Sequence, residues 1–407
     1  MTSDINFLSP EVWGDPHPYF DELRESDPVS WNTWWNGWVF TRFEDVDYLL
    51  RRSENLSANT VAPARAQASP EQLRLRETTF RILGSWLVLN DAPVHTRLRK
   101  LVNKAFTPAM VARLKPGIEE KATELLDAME NKESPDIIAD YSHPLTLSVI
   151  SRMLGIPPED EMDVAEWGAA ITPLVLDGRE NKQRREVAEA VLLKMEQYFG
   201  GLLKERRATP GDDLISELVL AEDGGALLSE TEIIATCILL IFAGQETTTG
   251  LIANAVLALG ENPEEQIKLA QNPDLMRGAI EELLRFCGVA FAISRVATAD
   301  FEIGGQTVNA GDKLLLAIGA ANRDPARFED PHKLDITRDT SGHLAFSGGA
   351  HYCLGGPLAR VEASIAIRAL LERFPDVKPQ QQDIEWRGVI VAREPVALLV
   401  DLRPRDE

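Results

Sequence analysis

Phe346-Ser347-Gly348-Gly349-Ala350-His351-Tyr352-Cys353-Leu354-Gly355-Gly356-Pro357-Leu358-Ala359-Arg360 is the stretch from which the rest of the chain is read. One cysteine stands between two glycine pairs. Glycines let a backbone take positive φ and approach a flat ligand closely. Pro357 suits the first turn of a helix, where its missing N–H costs nothing. Apolar residues then recur at helical spacing, at Leu358, Val361, Ile365, Ile367, Leu370 and Leu371. Cys353 therefore sits just ahead of a helix N-terminus, where the dipole and free N–H groups favour thiolate over thiol. The ordinary fate of a free cysteine is that of a small buried hydrophobe. A thiolate among backbone donors is instead a soft, electron-rich metal ligand.

Composition narrows the field. The chain has 407 residues, 44% of them hydrophobic, which is ample for a large core. Its 42 basic and 64 acidic residues leave a net charge of −22, which disfavours nucleic acid and favours solubility. Cys237, Cys287 and Cys353 lie far apart with no CxxC pair, so neither a structural zinc site nor a disulfide framework is expected, and a reducing cytoplasm fits. The first twenty residues hold Asp, Glu, His and three prolines rather than an apolar signal core. The run from Cys237 to Gly244 is far short of the ~20 residues a membrane span needs, so no membrane anchor is expected.

Periodicity predicts helices over 16–25, 43–51, 94–106, 108–131, 143–154, 158–174 and 181–206, with a polar turn, Leu176-Asp177-Gly178-Arg179, between the last two. A hairpin is expected across Asn36-Gly37 from strands 29–31 and 38–41, and a small sheet over 300–313 around Gly304-Gly305. From 57 to 89 periodicity fades, which predicts a long loop of the functional or mobile kind. Residues 94–106 are basic, and His95 and Arg99, four apart, share a face; the ordinary reading is a solvated basic face.

Ser229-Glu230-Thr231-Glu232 is a capping box, so a helix starts there and runs to Glu261. It is apolar almost all round from Ile233 to Ala243 and hence buried. Its middle reads Ala243-Gly244-Gln245-Glu246-Thr247-Thr248-Thr249-Gly250, which is poor helix chemistry: Gly weakens the interior and Thr hydroxyls compete for carbonyls. A break at the centre of a buried helix points to function, although a kink that merely eases packing would look the same. Further on, Glu282 and Arg285 lie three apart on a helix begun near Leu275, as a surface ion pair would.

Phe-x-x-Gly-x-His-x-Cys-x-Gly followed by Ala-Arg resembles the haem-binding loop of the cytochrome P450 family. Ala-Gly-x-Glu-Thr-Thr and Glu-x-x-Arg fall before it in the family's order. The resemblance covers nearly the whole chain. It implies a mainly α fold with a minor β region, a single domain over 1–407, and haem b between the long Thr-containing helix and the Cys loop. Cys353 would be the iron ligand. Phe346, Gly355, Ala243 and Gly244 would contact the haem, and His95, Arg99, Arg295 and His351 would bind its propionates. Glu246 and Thr247 would deliver protons in catalysis. The Glu282–Arg285 pair would be a buried fold lock.

Three departures stand out. Gln245 replaces a frequent His, and Ser347 a frequent Gly. Lys333, in Pro331-His332-Lys333-Leu334, stands where the lock's third member is usually Arg, so a looser triad is expected. The turn at 176–179 with its flanking helices, and the 57–89 segment, would cover a pocket lined by Leu240, Ala243, Val289, Ala290, Ala292 and Ile390. The implied reaction inserts one oxygen atom of O2 into a small apolar or aromatic molecule. Electrons would come from NAD(P)H through a ferredoxin or flavodoxin-type donor with its reductase. The spare cations of 94–106 would face that donor. A peroxide-driven peroxygenase and a non-catalytic haem-thiolate sensor are the alternatives. Retention of Glu246 and Thr247 argues against the first, and the lack of an output domain against the second.

Overall fold

The computed structural model describes residues 2–3, 5–52, 54–176, 182–387 and 391–402. Helices dominate and strands are few and short, as the resemblance implies. The chain forms two compact units: residues 1–56, 116–145 and 247–407 make the first, and 57–115 with 146–246 the second.

In the first unit a six-stranded sheet runs in the order Thr2–Ser3, Val29–Asn32, Gly37–Phe40, Lys313–Leu316, Ile293–Ala297, Leu56–Ser57. The expected hairpin is present, with Trp31 opposite Trp38 and Asn36 at φ 54° in the turn. Side chains alternate across a strand, and the core follows that period. Leu314 and Leu316 enter one apolar cluster with Phe40, Val46 and Leu344, while Leu315 enters the other with Val39, Phe20 and Phe291. The small sheet near Gly304-Gly305 forms as a separate hairpin, Phe301–Ile303 with Gln306–Val308, and both glycines have positive φ.

The helix Met276–Cys287 carries the lock. Glu282 and Arg285 have no exposed side-chain surface and meet through two bonds of 2.7 and 2.8 Å, so the pair is buried, not superficial. Its third member is not Lys333. Arg338 reaches Glu282 from a different turn, Nε to Oε1 at 3.2 Å, while Lys333 is exposed and only its backbone carbonyl takes part, accepting from Arg338 Nη2 at 3.2 Å. The expected third position is therefore corrected: an arginine is present, supplied five residues further on, and it meets Glu282 through Nε while its Nη groups hold the carbonyls of Glu329, Asp330 and Lys333.

In the second unit the helix Val94–Ala105 packs near the helix Leu214–Leu220, the short strand Glu222–Asp223 and the short turn Leu87–Leu89. The long loop expected over 57–89 is instead three short helices, Val61–Gln67, Pro70–Leu75 and Glu77–Leu83, followed by that turn. The first two bury no residue, so they leave no apolar stripe to read. Local chemistry makes them all the same: Ser69 and Gln72 form a complete capping box ahead of the second. The third is fixed by Glu189, which accepts the N–H groups of Thr78 and Thr79, each at 2.8 Å. Of the turn expected at 176–179, residues 177–179 lie outside the described residues.

The long helix runs Glu230–Glu261, as its capping box predicts; Ser229 N–H meets Glu232 Oε2 at 2.8 Å, and Glu232 N–H meets Ser229 Oγ at 3.3 Å. By length and composition it could cross a bilayer, but 72% of that apolar window is buried inside the protein. The expected break does not form; the helix is continuous through Gly244 and Thr249. Gly244 serves close packing instead. A Cβ there would stand 3.1 Å from Ile150 Cδ1. Buried residues on both sides, 233–241 and 251–259, hold the weak stretch in register.

The turn that begins the cysteine loop is strained at one point. Ser347 has φ 63° and Gly349 φ 64°. Gly349 is required twice over, since a Cβ would also meet Leu50 O at 2.4 Å. Ser347 holds the same left-handed conformation with a side chain, at a cost of about 1–2 kcal/mol, and its buried Oγ has no hydrogen-bond partner.

Two predictions concern stability. Arg338→Ala is expected to lower unfolding stability by roughly 1.5–3 kcal/mol, the scale of hydrogen bonds to a buried charge, whereas Lys333→Ala stays within about 0.5 kcal/mol. Ser347→Gly is expected to stabilise by about 1 kcal/mol after its larger backbone entropy is allowed for, and Ser347→Ala by less, because it keeps the strained φ. Urea unfolding of the purified variants checks both.

Candidate active site

The three cysteines are not equivalent. Burial raises the thiol of Cys237 far above its usual range and pushes that of Cys287 up to about 12, so both remain protonated. Cys287 donates weakly to Leu283 O at 3.1 Å, the bond of a helical thiol. Cys353 is partly exposed. Its N–H donates to Phe346 O at 2.9 Å, closing the turn, and three residues later the helix Gly356–Arg373 starts with Pro357 in its first turn. Gly355 has an ordinary φ of −78°, so its backbone does not demand glycine. A Cβ there would meet no protein atom within 4 Å, which leaves room beside Cys353 for a group that is not part of the chain.

Around this loop, in the same unit, His351 closes a short turn, Gly349–His351, and is partly buried. Arg295 lies on the strand Ile293–Ala297, opposite Leu314, and its Nη1 donates to Ser294 O at 2.8 Å. Phe346 is 9% exposed. Val289 and Ala292 are buried, Ala290 is partly so, and Ile390 lies outside the described residues.

In the second unit His95 is buried and Arg99 partly exposed, one turn apart on the same helix. Two other cations of that helix are already engaged. Arg97 pairs with Glu232 and Lys104 with Asp223, the latter at 2.9 Å, and both cations keep exposed side-chain surface. The long helix is most informative. Leu240 and Gln245 are buried along with nearly every neighbour, while Phe242, Ala243, Gly244 and Glu246 reach partial exposure and Thr247 is exposed. Trp86, fully buried, stacks on Phe242 at 5.2 Å between centroids. Accessible surface in this helix interior thus coincides with the residues that the sequence singles out for chemistry.

A second cluster behind the cysteine loop was not anticipated. Glu281 holds Arg360 through Nε at 2.6 Å and Nη2 at 3.0 Å, and His343 Nε2 at 2.9 Å. Burial opposes ionisation of Glu281, but the hydrogen bonds and charges of His343 and Arg360 outweigh it and bring the carboxyl down to about 2. His343 reads from sequence as a bare loop residue, and Glu281 is hidden beside Glu282. The one signal was the invitation in Ala359-Arg360 to ask what a cation does one turn into the helix.

The family model for Cytochrome P450 matches residues 66–398. The polyketide biosynthesis cytochrome P450 PksS of Bacillus subtilis (strain 168) is 37% identical over 401 residues, which cover 96% of this chain and 97% of that protein. The 6-deoxyerythronolide B hydroxylase of Saccharopolyspora erythraea is 33% identical and covers 97% of each. Among solved structures, P450BioI in complex with acyl carrier protein ligated to hexadec-9Z-enoic acid superposes with a TM-score of 0.89 at 33% identity, covering 97% of this chain and 99% of that one. Likeness of this extent in sequence and structure makes the chain a member of the cytochrome P450 family, oxygen-incorporating oxidoreductases that take haem.

Proposed function

We propose that Cys353 is the iron ligand of haem b and that the enzyme inserts one oxygen atom of O2 into a small, predominantly apolar organic molecule while the other leaves as water. The observation that carries this reading is the placement of the cysteines: Cys237 and Cys287 stand within helices with thiols raised by burial, whereas Cys353 stands in a turn just ahead of a helix N-terminus, near a glycine that faces open space. Thiolate-ligated haem, when bound, supplies the oxygen activation, the sulfur's electron density favouring O–O cleavage.

The chain's own residues do the rest. Arg295, His351, Arg99 and His95 would give charge-assisted hydrogen bonds to the two haem carboxylates. Phe346, Gly355, Ala243 and Gly244 would contact the macrocycle. Thr247 offers a hydroxyl from the accessible window of the long helix, and Glu246 beside it a carboxylate. Together they hold an ordered water and move protons from solvent. NAD(P)H feeds electrons through a ferredoxin or flavodoxin-type protein and its reductase. A relative named for polyketide biosynthesis, and a structural neighbour bound to a fatty-acyl carrier protein, support a substrate built of long or ringed hydrocarbon. The apolar side chains Leu240, Val289 and Ala292 agree with that choice. Three free, widely separated cysteines fit a cytoplasmic setting.

Cys353→Ser is expected to abolish the thiolate absorption band of the reduced carbon-monoxide complex; survival of that band refutes the ligand assignment. Thr247→Ala, tested with any molecule that shifts the haem spin state, is expected to keep haem, binding and most NAD(P)H consumption. Its product per NAD(P)H falls and released peroxide rises. Wild-type coupling in that variant removes Thr247 from the proton path, and stability lost with coupling unchanged assigns it to packing.

A further inference from the structure

We infer that Glu281, Arg360 and His343 are positioning residues for the cysteine ligand, a charged clamp that holds the Cys353 loop in the one geometry that presents its sulfur as thiolate. The inference rests on the reading of Cys353 as the iron ligand. It starts from what each side chain touches. Arg360 is fixed as a planar fork on Glu281, by the two bonds given above. A fork so held cannot rotate, and its guanidinium carbon lies 4.4 Å from the centroid of the Phe346 ring, within cation–π range. Phe346 supplies the carbonyl that accepts the Cys353 N–H. Arg360 Nη1 also donates to Tyr352 Oη at 3.3 Å. One guanidinium thus grips the first residue of the loop and the residue just before the cysteine.

His343 secures the approach to the loop. Its Nδ1 accepts the N–H of Ala345 at 3.2 Å, so the proton sits on Nε2 and is donated to Glu281. The clamp thus consists of one carboxylate held by a guanidinium and an imidazole N–H. Its partly buried carboxylate, with a pKa near 2, stays ionised at any pH where the protein works.

Glu281 is well placed to brace something. It belongs to the helix whose next residue, Glu282, is tied to Arg285 and Arg338, so the clamp's anchor cannot yield without disturbing the buried lock. Opposite it, the Cys353 loop has a strained Ser347 and would relax if released. A relaxed loop lets the sulfur take up a proton or drift from the metal. Removing the Glu281 charge while keeping Arg360 also leaves an uncompensated cation beside the loop, which favours the reduced, more electron-rich state of a bound metal.

The test uses haem-loaded protein: wild type, Glu281→Gln, Arg360→Ala, Arg360→Lys and His343→Ala. The spectrum of the reduced carbon-monoxide complex and the reduction potential are read beside thermal unfolding. Glu281→Gln and Arg360→Ala are expected to convert part of the thiolate band to the thiol-type band, and Glu281→Gln to move the potential to more positive values. Arg360→Lys keeps the charge but not the fork, and is expected to resemble Arg360→Ala in its spectrum. Folded, haem-loaded variants with the wild-type band and potential overturn the clamp and leave only a surface ion pair. If Glu281→Gln fails to retain haem, Arg360→Lys and His343→Ala decide by the same two readouts. Wild-type protein without a thiolate band refutes the ligand assignment itself, which separates that failure from failure of the clamp.

Discussion

Burial of the Glu282–Arg285 pair is the constraint on which the first unit depends. Taking a carboxylate and a guanidinium out of water costs several kcal/mol per ion before they meet. The cost is tolerated because almost every donor and lone pair finds a partner. Arg285 Nη1 donates to the carbonyls of Asn322 and Pro331, each at 2.9 Å, and Glu282 also accepts from Arg338 and from the N–H of Asp335 at 3.1 Å. Removing any one partner strands a buried charge, so the segments holding Asn322, Pro331 and Arg338 are tied to the helix as a set. Asn322 passes the constraint on: its Oδ1 accepts the N–H of Leu344 at 2.7 Å, two residues before Phe346. The lock therefore reaches the start of the cysteine loop through two hydrogen bonds and one side chain.

Adjacent carboxylates on one helix thus do different work. Glu282 turns into the protein and Glu281 toward the cysteine loop, about 100° apart as neighbouring residues on a helix must be. The lock fixes the segment that enters the loop, and the Glu281 cluster fixes the helix that leaves it. Between these supports the backbone accepts a left-handed serine and a glycine pressed against Leu50. Local strain of that kind persists only where the surroundings over-determine the conformation.

What was legible from sequence follows from the range of the forces involved. Strong periodicity and capping chemistry are local, so the long helix, its Ser229 start, the helix 43–51 and the Asn36-Gly37 hairpin are read almost to the residue. The short helices over 61–75 are not, because exposed helices of six or seven residues need no apolar stripe, and Glu77–Leu83, though buried, is too short to show a period. The lock pair was legible as a motif, but its third member was not. Arg338 reaches Glu282 across 56 positions, and no local pattern distinguishes it from the nearer Lys333. The unbroken helix at Gly244 shows the same limit. Propensity predicts a weak point, whereas packing against Ile150 and buried flanks decides whether it opens. The departure at Ser347 was visible in the sequence; that it occupies positive φ was not.

A net charge of −22 would, unscreened, discourage one more negative group such as a thiolate. Range resolves this. At physiological ionic strength exposed charges beyond about 8 Å are largely screened, so the acidic surface as a whole has little say at Cys353. What counts is the immediate surroundings: the N-terminal turn of Gly356–Arg373, the guanidinium of Arg360 over Phe346, and the loop's own N–H groups. Cys237 and Cys287 show the contrast. They lie in the same acidic protein, yet their thiols are raised chiefly by burial, with charge a lesser contribution. Local placement, not net charge, separates the cysteines: two are held within helices, and Cys353 sits in a turn ahead of a helix N-terminus, where a metal can be met as thiolate.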